Sequence, residues 1–141
     1  MRRITFTIIL LSAAYLSCFG GISESIRKYV DAGSESLSYK ADDENLFCGR
    51  ELYLFYVNRY YDPAWFIGNS ITNDGFDLLN YVRQVNQHGL KPDDYHLYLI
   101  ETYFKKVLNA PFPDTTDLVK LDLLLTDAFL HLGSHLYYGK I

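Results

Sequence analysis

The sequence predicts an all-α protein, a compact bundle of four to five helices with short irregular or extended connections, preceded by an N-terminal signal segment. Three observations support this fold class. Apolar residues recur at three- and four-residue steps along most of the chain after position 43, which is helical spacing. Proline, glycine and aspartate occur where these runs stop. The chain also has 13 Tyr and 9 Phe, whose large side chains can fill one core.

The first 20 residues have the composition of an export signal. Arg2 and Arg3 precede an apolar run at residues 4–16, which is about as long as a signal-peptide core. Cleavage after Gly20, lipid attachment at Cys18 and retention of the uncharged stretch as an anchor are the three alternatives. We therefore expect an exported protein of the periplasm or cell envelope.

Removal of residues 1–20 leaves a chain of a size that fits one domain with one core. Residues 21–43 are predicted to form a short helix leading into a mobile linker, and residues 44–141 a helical domain. The net charge is -4 and the basic residues are scattered, so we expect no nucleic-acid partner. Membrane contact is expected only through the signal, an anchor or lipidation.

The first core helix is predicted to be capped by a polar residue within positions 42–45 and to end near Tyr60. Asp62–Pro63 then stops the helix, because the residue before proline is pushed toward extended geometry. Residues 64–67 are predicted to be a short extended segment that ends at Gly68.

The second helix is predicted to be capped by Asn73 or Asp74 and to stop at His88–Gly89. Gly89 suits the left-handed residue after a helix, and Leu90 supplies the hydrophobic contact that often follows. The apolar face of this helix consists of Phe76, Leu79, Val82 and Val85.

Pro92 fits the first turn of a third helix, where the carboxylates of Asp93 and Asp94 complement exposed backbone N–H groups. This helix is predicted to end before Pro111. Its apolar residues are Tyr95, Leu99, Ile100, Tyr103 and Leu108.

A fourth helix is predicted after a cap within residues 114–116. It is apolar on several sides, which is typical of a helix at the centre of a domain. Its core face consists of Leu121, Leu124, Leu125, Ala128 and Leu132.

Two carboxylates, Asp122 and Asp127, fall on this apolar helix and are expected to be partly buried. A buried carboxylate needs hydrogen bonds or a counter-charge. His131 lies four residues after Asp127 and is the nearest local partner, and Arg59 is a candidate from further along the chain. Cys48 is interpreted as a small, buried apolar residue on a helix, with an intermolecular disulfide as the alternative.

These motifs together resemble the helical scaffold domain of large periplasmic L,D-transpeptidases, from about residue 46 to the C-terminus. The matching segments also include Leu124–Phe129 and Gly139–Lys140. The motif residues that carry the resemblance are Arg59, Pro63, Trp65, His88, Gly89, Leu90, Pro92, Asp94, Tyr95, Asp122 and Asp127.

The resemblance implies an enzyme family of cysteine acyl transferases that act on peptidoglycan, with the chemistry in a different domain. The family nucleophile lies in a Ser-x-Gly-Cys motif with a histidine base. Cys48 stands in Phe47–Cys48–Gly49–Arg50, which lacks the preceding Ser-x-Gly. We therefore assign no catalytic residue, no cofactor and no metal, and expect no enzyme activity from this chain alone. The sequence stops at Ile141, where family members continue, so a fragment or an independent envelope protein is expected.

The expected partners are the missing catalytic and peptidoglycan-binding domains or other cell-wall proteins, and peptidoglycan itself. Three other hypotheses concern sites on this chain. His131 and His135 lie four apart like two zinc ligands, although Leu132 replaces the glutamate of a zinc helix and no third ligand is apparent. The Asp93–Asp94 pair is an acid–base candidate, although capping explains it. A tyrosine-lined groove for glycan or peptide is the third, with the rings of Tyr53, Tyr56, Tyr60 and Tyr61.

Overall fold

The computed structural model describes residues 21–140, and it is predominantly helical, as the sequence predicts. The predicted signal segment and Cys18 lie outside the described residues. The helices are α1 (residues 21–32), α2 (Gly49–Asn58), α3 (Asn73–Arg83), α4 (Leu97–Asn109) and α5 (Thr115–Tyr138). Two 3₁₀ turns cover Val85–His88 and Pro92–Tyr95. Two antiparallel hairpins pair β1 (Lys40–Ala41) with β2 (Glu44–Asn45), and β3 (Phe66–Ile67) with β4 (Ser70–Ile71).

Helix α5 is the centre of the domain, as its apolar pattern predicts. All residues from Leu121 to Ala128 are buried, and α2, α3 and α4 pack around it. Its start is also as predicted, since the Asp114 side chain accepts a hydrogen bond from the backbone N–H of Thr116 at 2.8 Å. No helix within residues 21–140 combines the length and the apolar character needed to cross a bilayer.

The expectation of a mobile linker at residues 21–43 is corrected by the packing of this segment. Ile26 and Val30 on α1 are fully buried in the core, and Tyr39 and Ala41 near the first hairpin are buried with them. The apolar residues of α1 are spaced four apart and form one face. The segment therefore belongs to the same core as the rest of the domain.

Helix α2 begins later than predicted and is capped differently. It starts at Gly49, so residues 42–45 form the turn and second strand of a hairpin instead of its cap. A side chain at position 49 has no room, because a Cβ there would lie 1.9 Å from the carbonyl oxygen of Leu37. The helix ends at Asn58, and the next turn closes with Tyr60 and Tyr61 in left-handed geometry at φ 56° and 61°.

The extended segment predicted before Gly68 is strand β3, and Gly68 has a φ of 59° in the hairpin turn. Helix α3 follows, but its cap is Thr72 and not Asn73 or Asp74. The Thr72 side chain accepts a hydrogen bond from the backbone N–H of Gly75 at 3.2 Å.

The corner between α3 and α4 is longer than predicted. Helix α3 ends at Arg83, and Val85 lies in the separate 3₁₀ turn that leads to Gly89. Gly89 is left-handed at φ 74°, as predicted, and the backbone N–H of Leu90 donates to the carbonyl of Val85 at 3.2 Å.

The prediction that Pro92 opens the third long helix is wrong. Pro92 opens the second 3₁₀ turn, which also contains Asp93, Asp94 and Tyr95. His96 then adopts φ 60°, so α4 can begin only at Leu97. A left-handed residue with a Cβ interrupts the helical path at this point.

Candidate functional site

Asp122 on α5 holds the loop that follows α2. Its Oδ1 accepts hydrogen bonds from the backbone N–H groups of Ala64 and Trp65, both at 2.9 Å. Its Oδ2 accepts the phenolic proton of Tyr56 at 2.6 Å. The carboxyl group is fully buried, so these donors replace the water that it has lost. Asp122 thus fixes the chain reversal at Pro63 to the central helix.

A directed chain of hydrogen bonds completes this cluster. The indole N–H of Trp65 donates to the Thr126 hydroxyl at 2.9 Å, and the Thr126 and Tyr56 hydroxyl oxygens are 2.8 Å apart. Because the Tyr56 proton is directed at Asp122, Thr126 must donate to Tyr56. Each group in this series therefore donates its hydrogen bond toward the buried carboxylate.

The electrostatics of the cluster favour a neutral phenol beside the carboxyl group. Burial raises the pKa of Asp122, and the hydrogen bonds from Tyr56, Trp65 and Ala64 oppose that rise. Burial and the neighbouring Asp122 raise the pKa of Tyr56 well above its ordinary value. Tyr56 therefore remains a donor, and the cluster offers no open site for proton transfer.

Asp127 makes the equivalent attachment at the other end of α2. Its Oδ2 accepts from the backbone N–H of Phe47 at 3.0 Å, and its Oδ1 accepts from that of Cys48 at 2.8 Å. Both N–H groups lie just before the first turn of α2, where negative charge is favourable. A carboxylate from α5 thus takes the place of the local cap that the sequence suggested.

His96 is the side-chain partner of Asp127. Its Nε2 lies 2.7 Å from Asp127 Oδ2, and its Nδ1 lies 2.5 Å from Glu44 Oε1 on β2. Burial alone lowers the pKa of His96, but the hydrogen bonds and charges of Asp127 and Glu44 outweigh it and raise the pKa above its ordinary value. The two carboxylates therefore favour the protonated form of the imidazole.

Neither predicted partner of the buried carboxylates is correct. His131 makes no hydrogen bond to Asp127, and its Nδ1 is buried without a partner among the described residues. Arg59 donates through Nε to the carbonyl of Asp62 at 2.7 Å and through Nη2 to that of Pro63 at 3.2 Å. Its guanidinium lies over the Phe55 ring, and its charge only favours ionised Asp122 from a distance.

The motif residues fall into two groups around these carboxylates. Arg59, Pro63 and Trp65 shape the loop on Asp122, as described above. The others form the α3–α4 corner, in which His88 contacts Tyr81 at 3.3 Å and Leu90 is buried. Asp94 pairs with Lys140, and the hydroxyl of buried Tyr95 lies 2.8 Å from Nδ1 of His135. The motif is therefore a set of fold-defining contacts.

Cys48 is the residue before α2 and is only half-buried, whereas the sequence predicted a buried residue within the helix. Burial, with the carboxylates of Asp127 and Glu51, raises the pKa of Cys48 to about 12. Since the thiolate is the nucleophile, this thiol is almost entirely unreactive at neutral pH.

The two histidines pack against each other, and the two aspartates lie in different surroundings. The rings of His131 and His135 are 4.2 Å apart, and within residues 21–140 no group of three metal-binding side chains is present. The Lys140 hydrogen bond lowers the pKa of Asp94, while Asp93 is exposed. The aspartate pair therefore lacks the shared environment of an acid–base dyad.

The four tyrosines do not line one groove. Tyr56 is fully buried, Tyr53 and Tyr61 are half-buried, and Tyr60 is 86% exposed. A cleft of about 490 Å³ lies beside the loop that follows α2, and none of the four tyrosines lines it. Its lining includes Arg59, Asp62, Pro63, Phe66, Ile67 and Asn69.

The sequence did not predict that Glu44, Tyr56, His96 and Thr126 complete the two carboxylate clusters. The role of Thr126 could have been predicted, because Thr126 lies four residues after Asp122 on an otherwise apolar helix and therefore on the same helix face as Asp122. The roles of Glu44 and His96 could not, because only long-range packing brings these two residues to Asp127.

The fold and these contacts define a helical structural module, in which buried polar groups on one central helix hold the connecting loops. A family model described as "Scaffold domain" matches residues 50–141, more than half of the chain. The chain belongs to the Scaffold domain family, a non-catalytic module, and this is consistent with its resemblance to the scaffold of L,D-transpeptidases. No curated protein and no solved structure matches the chain.

Proposed function

We propose that this chain is the non-catalytic scaffold module of a peptidoglycan L,D-transpeptidase, which works in cell-wall cross-linking. The observation that carries the proposal is its membership in the Scaffold domain family. The motif residues support it, because they coincide with the contacts that fix the loops to α5. A module of this kind contributes a rigid surface and leaves the acyl transfer to another domain.

The proposal includes the partners and the compartment. The partners are a catalytic domain, a peptidoglycan-binding domain or other cell-wall proteins, and peptidoglycan itself. The basic start and apolar run of residues 1–20 support export to the periplasm or envelope, with Cys18 as the position of a lipid anchor.

Sequencing the genomic DNA after the Ile141 codon tests this function. We expect a reading frame that encodes His-x-x-Gly and Ser-x-Gly-Cys motifs, because the thiolate nucleophile and its histidine base must come from another domain. A stop codon with no such motifs in the same operon would contradict the proposal.

A stand-alone envelope adaptor is the second candidate, and the cleft beside the α2–β3 loop favours it. Apolar Pro63, Phe66 and Ile67 line the cleft beside a few polar side chains, which is the composition of ligand-binding clefts, and Ile67 is 77% exposed. We expect the protein to sediment with purified peptidoglycan sacculi and Ile67→Asp to weaken this. Phe112→Asp is the matched control, since Phe112 is 92% exposed and does not line the cleft. Wild-type protein that stays in the supernatant would eliminate peptidoglycan as the adaptor's target.

A further inference from the structure

Three elements that are distant in sequence meet at His96. Glu44 is on β2, His96 lies between the second 3₁₀ turn and α4, and Asp127 is on α5. The His96 side chain is fully buried and its backbone is left-handed at φ 60°, which a residue with a Cβ adopts only at some cost. An apolar core requires neither a buried imidazole nor a left-handed backbone at this position.

The two carboxylates differ in their access to water. The Glu44 side chain is 37% exposed, whereas that of Asp127 is 0% exposed. Asp127 also keeps two backbone donors, from Phe47 and Cys48, when its contact with His96 is lost. Glu44 has no such alternative among the described contacts, but water can reach it.

The protonation state of His96 decides whether the imidazole can donate hydrogen bonds to both carboxylates. A doubly protonated imidazole donates to Asp127 through Nε2 and to Glu44 through Nδ1. A neutral imidazole has one N–H, and it is best placed on Nε2, because the alternative would leave a lone pair against buried Asp127. The Nδ1 lone pair then faces the Glu44 carboxylate and repels it.

The turn of the first hairpin is also attached to α4 and α5. The side chains that attach it keep their charge at the pH values where His96 loses its proton. Asp42 in its turn accepts hydrogen bonds from Tyr103 at 2.7 Å and Lys120 at 2.6 Å. The Lys120 contact lowers the pKa of Asp42 and raises that of Lys120, so this pair stays charged at neutral and mildly alkaline pH. Release at Glu44 would therefore free one end of the hairpin and leave the other fixed.

We propose that Glu44, His96 and Asp127 form a pH-sensitive latch, which holds residues 44–46 against His96 when His96 is charged and releases them when it is neutral. The Phe47 ring stacks on His96 at 5.2 Å between centroids and packs against His131 at 4.8 Å. It stays in place in both states, because Asp127 keeps the backbone N–H groups of Phe47 and Cys48.

The charged and titratable groups around His96 support this direction of switching. Glu44 on β2 and Asp127 on α5 favour the cation, and His131 on α5 opposes it when charged. Burial lowers the pKa of His131, so His131 loses its proton at a lower pH than His96 does. Cys48 adds no charge here, because its pKa is raised to about 12.

Hydrogen exchange of the full chain at pH 6 and pH 9 tests the latch, after correction for the intrinsic pH dependence of exchange. We expect the backbone amides of residues 44–46 to lose protection at pH 9, by about tenfold for each unit by which the contact raises the His96 pKa. The amides of Phe47 and Cys48 should stay protected, because Asp127 keeps them. Side-chain NMR of His96 should show titration above the ordinary histidine range.

Glu44→Gln provides the decisive comparison. A glutamine amide can accept from the charged imidazole with its oxygen or donate to the neutral one with its nitrogen, so residues 44–46 should stay protected at both pH values. Glu35→Gln is the matched control, since Glu35 is exposed and outside the cluster, and it should behave like wild type. Equal wild-type protection at both pH values, or an unchanged pH effect in Glu44→Gln, would overturn the proposal. The wild-type measurement decides the matter alone if the variant does not fold.

Discussion

Replacement of Asp122 by asparagine isolates the charge of the buried anchor on α5 while keeping its shape. In the wild-type protein the carboxylate accepts from the N–H groups of Ala64 and Trp65 and from the hydroxyl of Tyr56. The asparagine oxygen can keep both backbone donors on the Oδ1 side. Its NH₂ group then points at Tyr56, so the hydroxyl chain through Thr126 must reverse.

Two opposing effects set the change in the free energy of unfolding for Asp122→Asn. The Ala64 N–H also lies 3.1 Å from Oδ2, where the new NH₂ presents a donor to a donor. One buried unsatisfied donor costs about 1–3 kcal/mol, and charge-assisted bonds to the carboxylate become weaker neutral ones. Relief from burying a charge offsets part of this loss, in keeping with the raised pKa of Asp122. We expect a net loss of roughly 2 kcal/mol in the free energy of unfolding.

Urea unfolding followed by far-UV circular dichroism measures this loss. With an m-value of about 1–3 kcal/mol/M, the midpoint should fall by roughly 1 M. Asp77→Asn is the matched control, because Asp77 is exposed on α3, and it should change stability by no more than about 0.5 kcal/mol. A midpoint equal to or above wild type for Asp122→Asn would show that the cost of burying the charge outweighs its hydrogen bonds, and that Asp122 is not a stabilising anchor.

Four further outcomes follow from the structure. The stability contributed by the His96 contacts should be fully present below about pH 6.5 and be lost as the pH rises through the raised pKa of His96, and His96→Gln should flatten the pH dependence of the urea midpoint above about pH 6.5. Tyr60→Gly should raise the melting temperature by a few degrees, or about 0.5–1 kcal/mol, because φ 56° at this exposed residue suits glycine; a lower value would contradict this. Thr126→Val should cost about 1–3 kcal/mol and shift the fluorescence of Trp65, whose indole N–H loses its acceptor; unchanged emission and stability would contradict the directed chain. Alkylation of Cys48 at pH 8, followed at the peptide level, should be at least roughly 100-fold slower in native than in urea-unfolded protein, and equal rates would exclude a raised pKa.

The elements that sequence predicts best are those governed by local chemistry. Asp114 caps α5, Gly89 takes the left-handed position, and the apolar run from Leu121 makes α5 the central helix. Each of these depends on a few adjacent residues, so composition and spacing suffice.

The polar contacts could be predicted only in part. The need for partners at Asp122 and Asp127 follows from their place on an apolar helix, but the partners come from residues 31–80 positions away. A nearby histidine at i+4 suggested His131, whereas packing brings His96 to Asp127. The start of α2 was misplaced for the same reason, because its first N–H groups meet a carboxylate from another helix.

Incubation of the purified protein with muropeptides, analysed by mass spectrometry, tests most directly whether this is a scaffold without chemistry of its own. We expect no cross-linked product from wild type or from Cys48→Ala, because burial raises the pKa of the Cys48 thiol to about 12 and the thiol lies beside Asp127. An active L,D-transpeptidase under the same conditions verifies the substrate. Cross-linked product that forms with wild type and disappears in Cys48→Ala would show that Cys48 is a catalytic nucleophile and that the chain is not a scaffold alone.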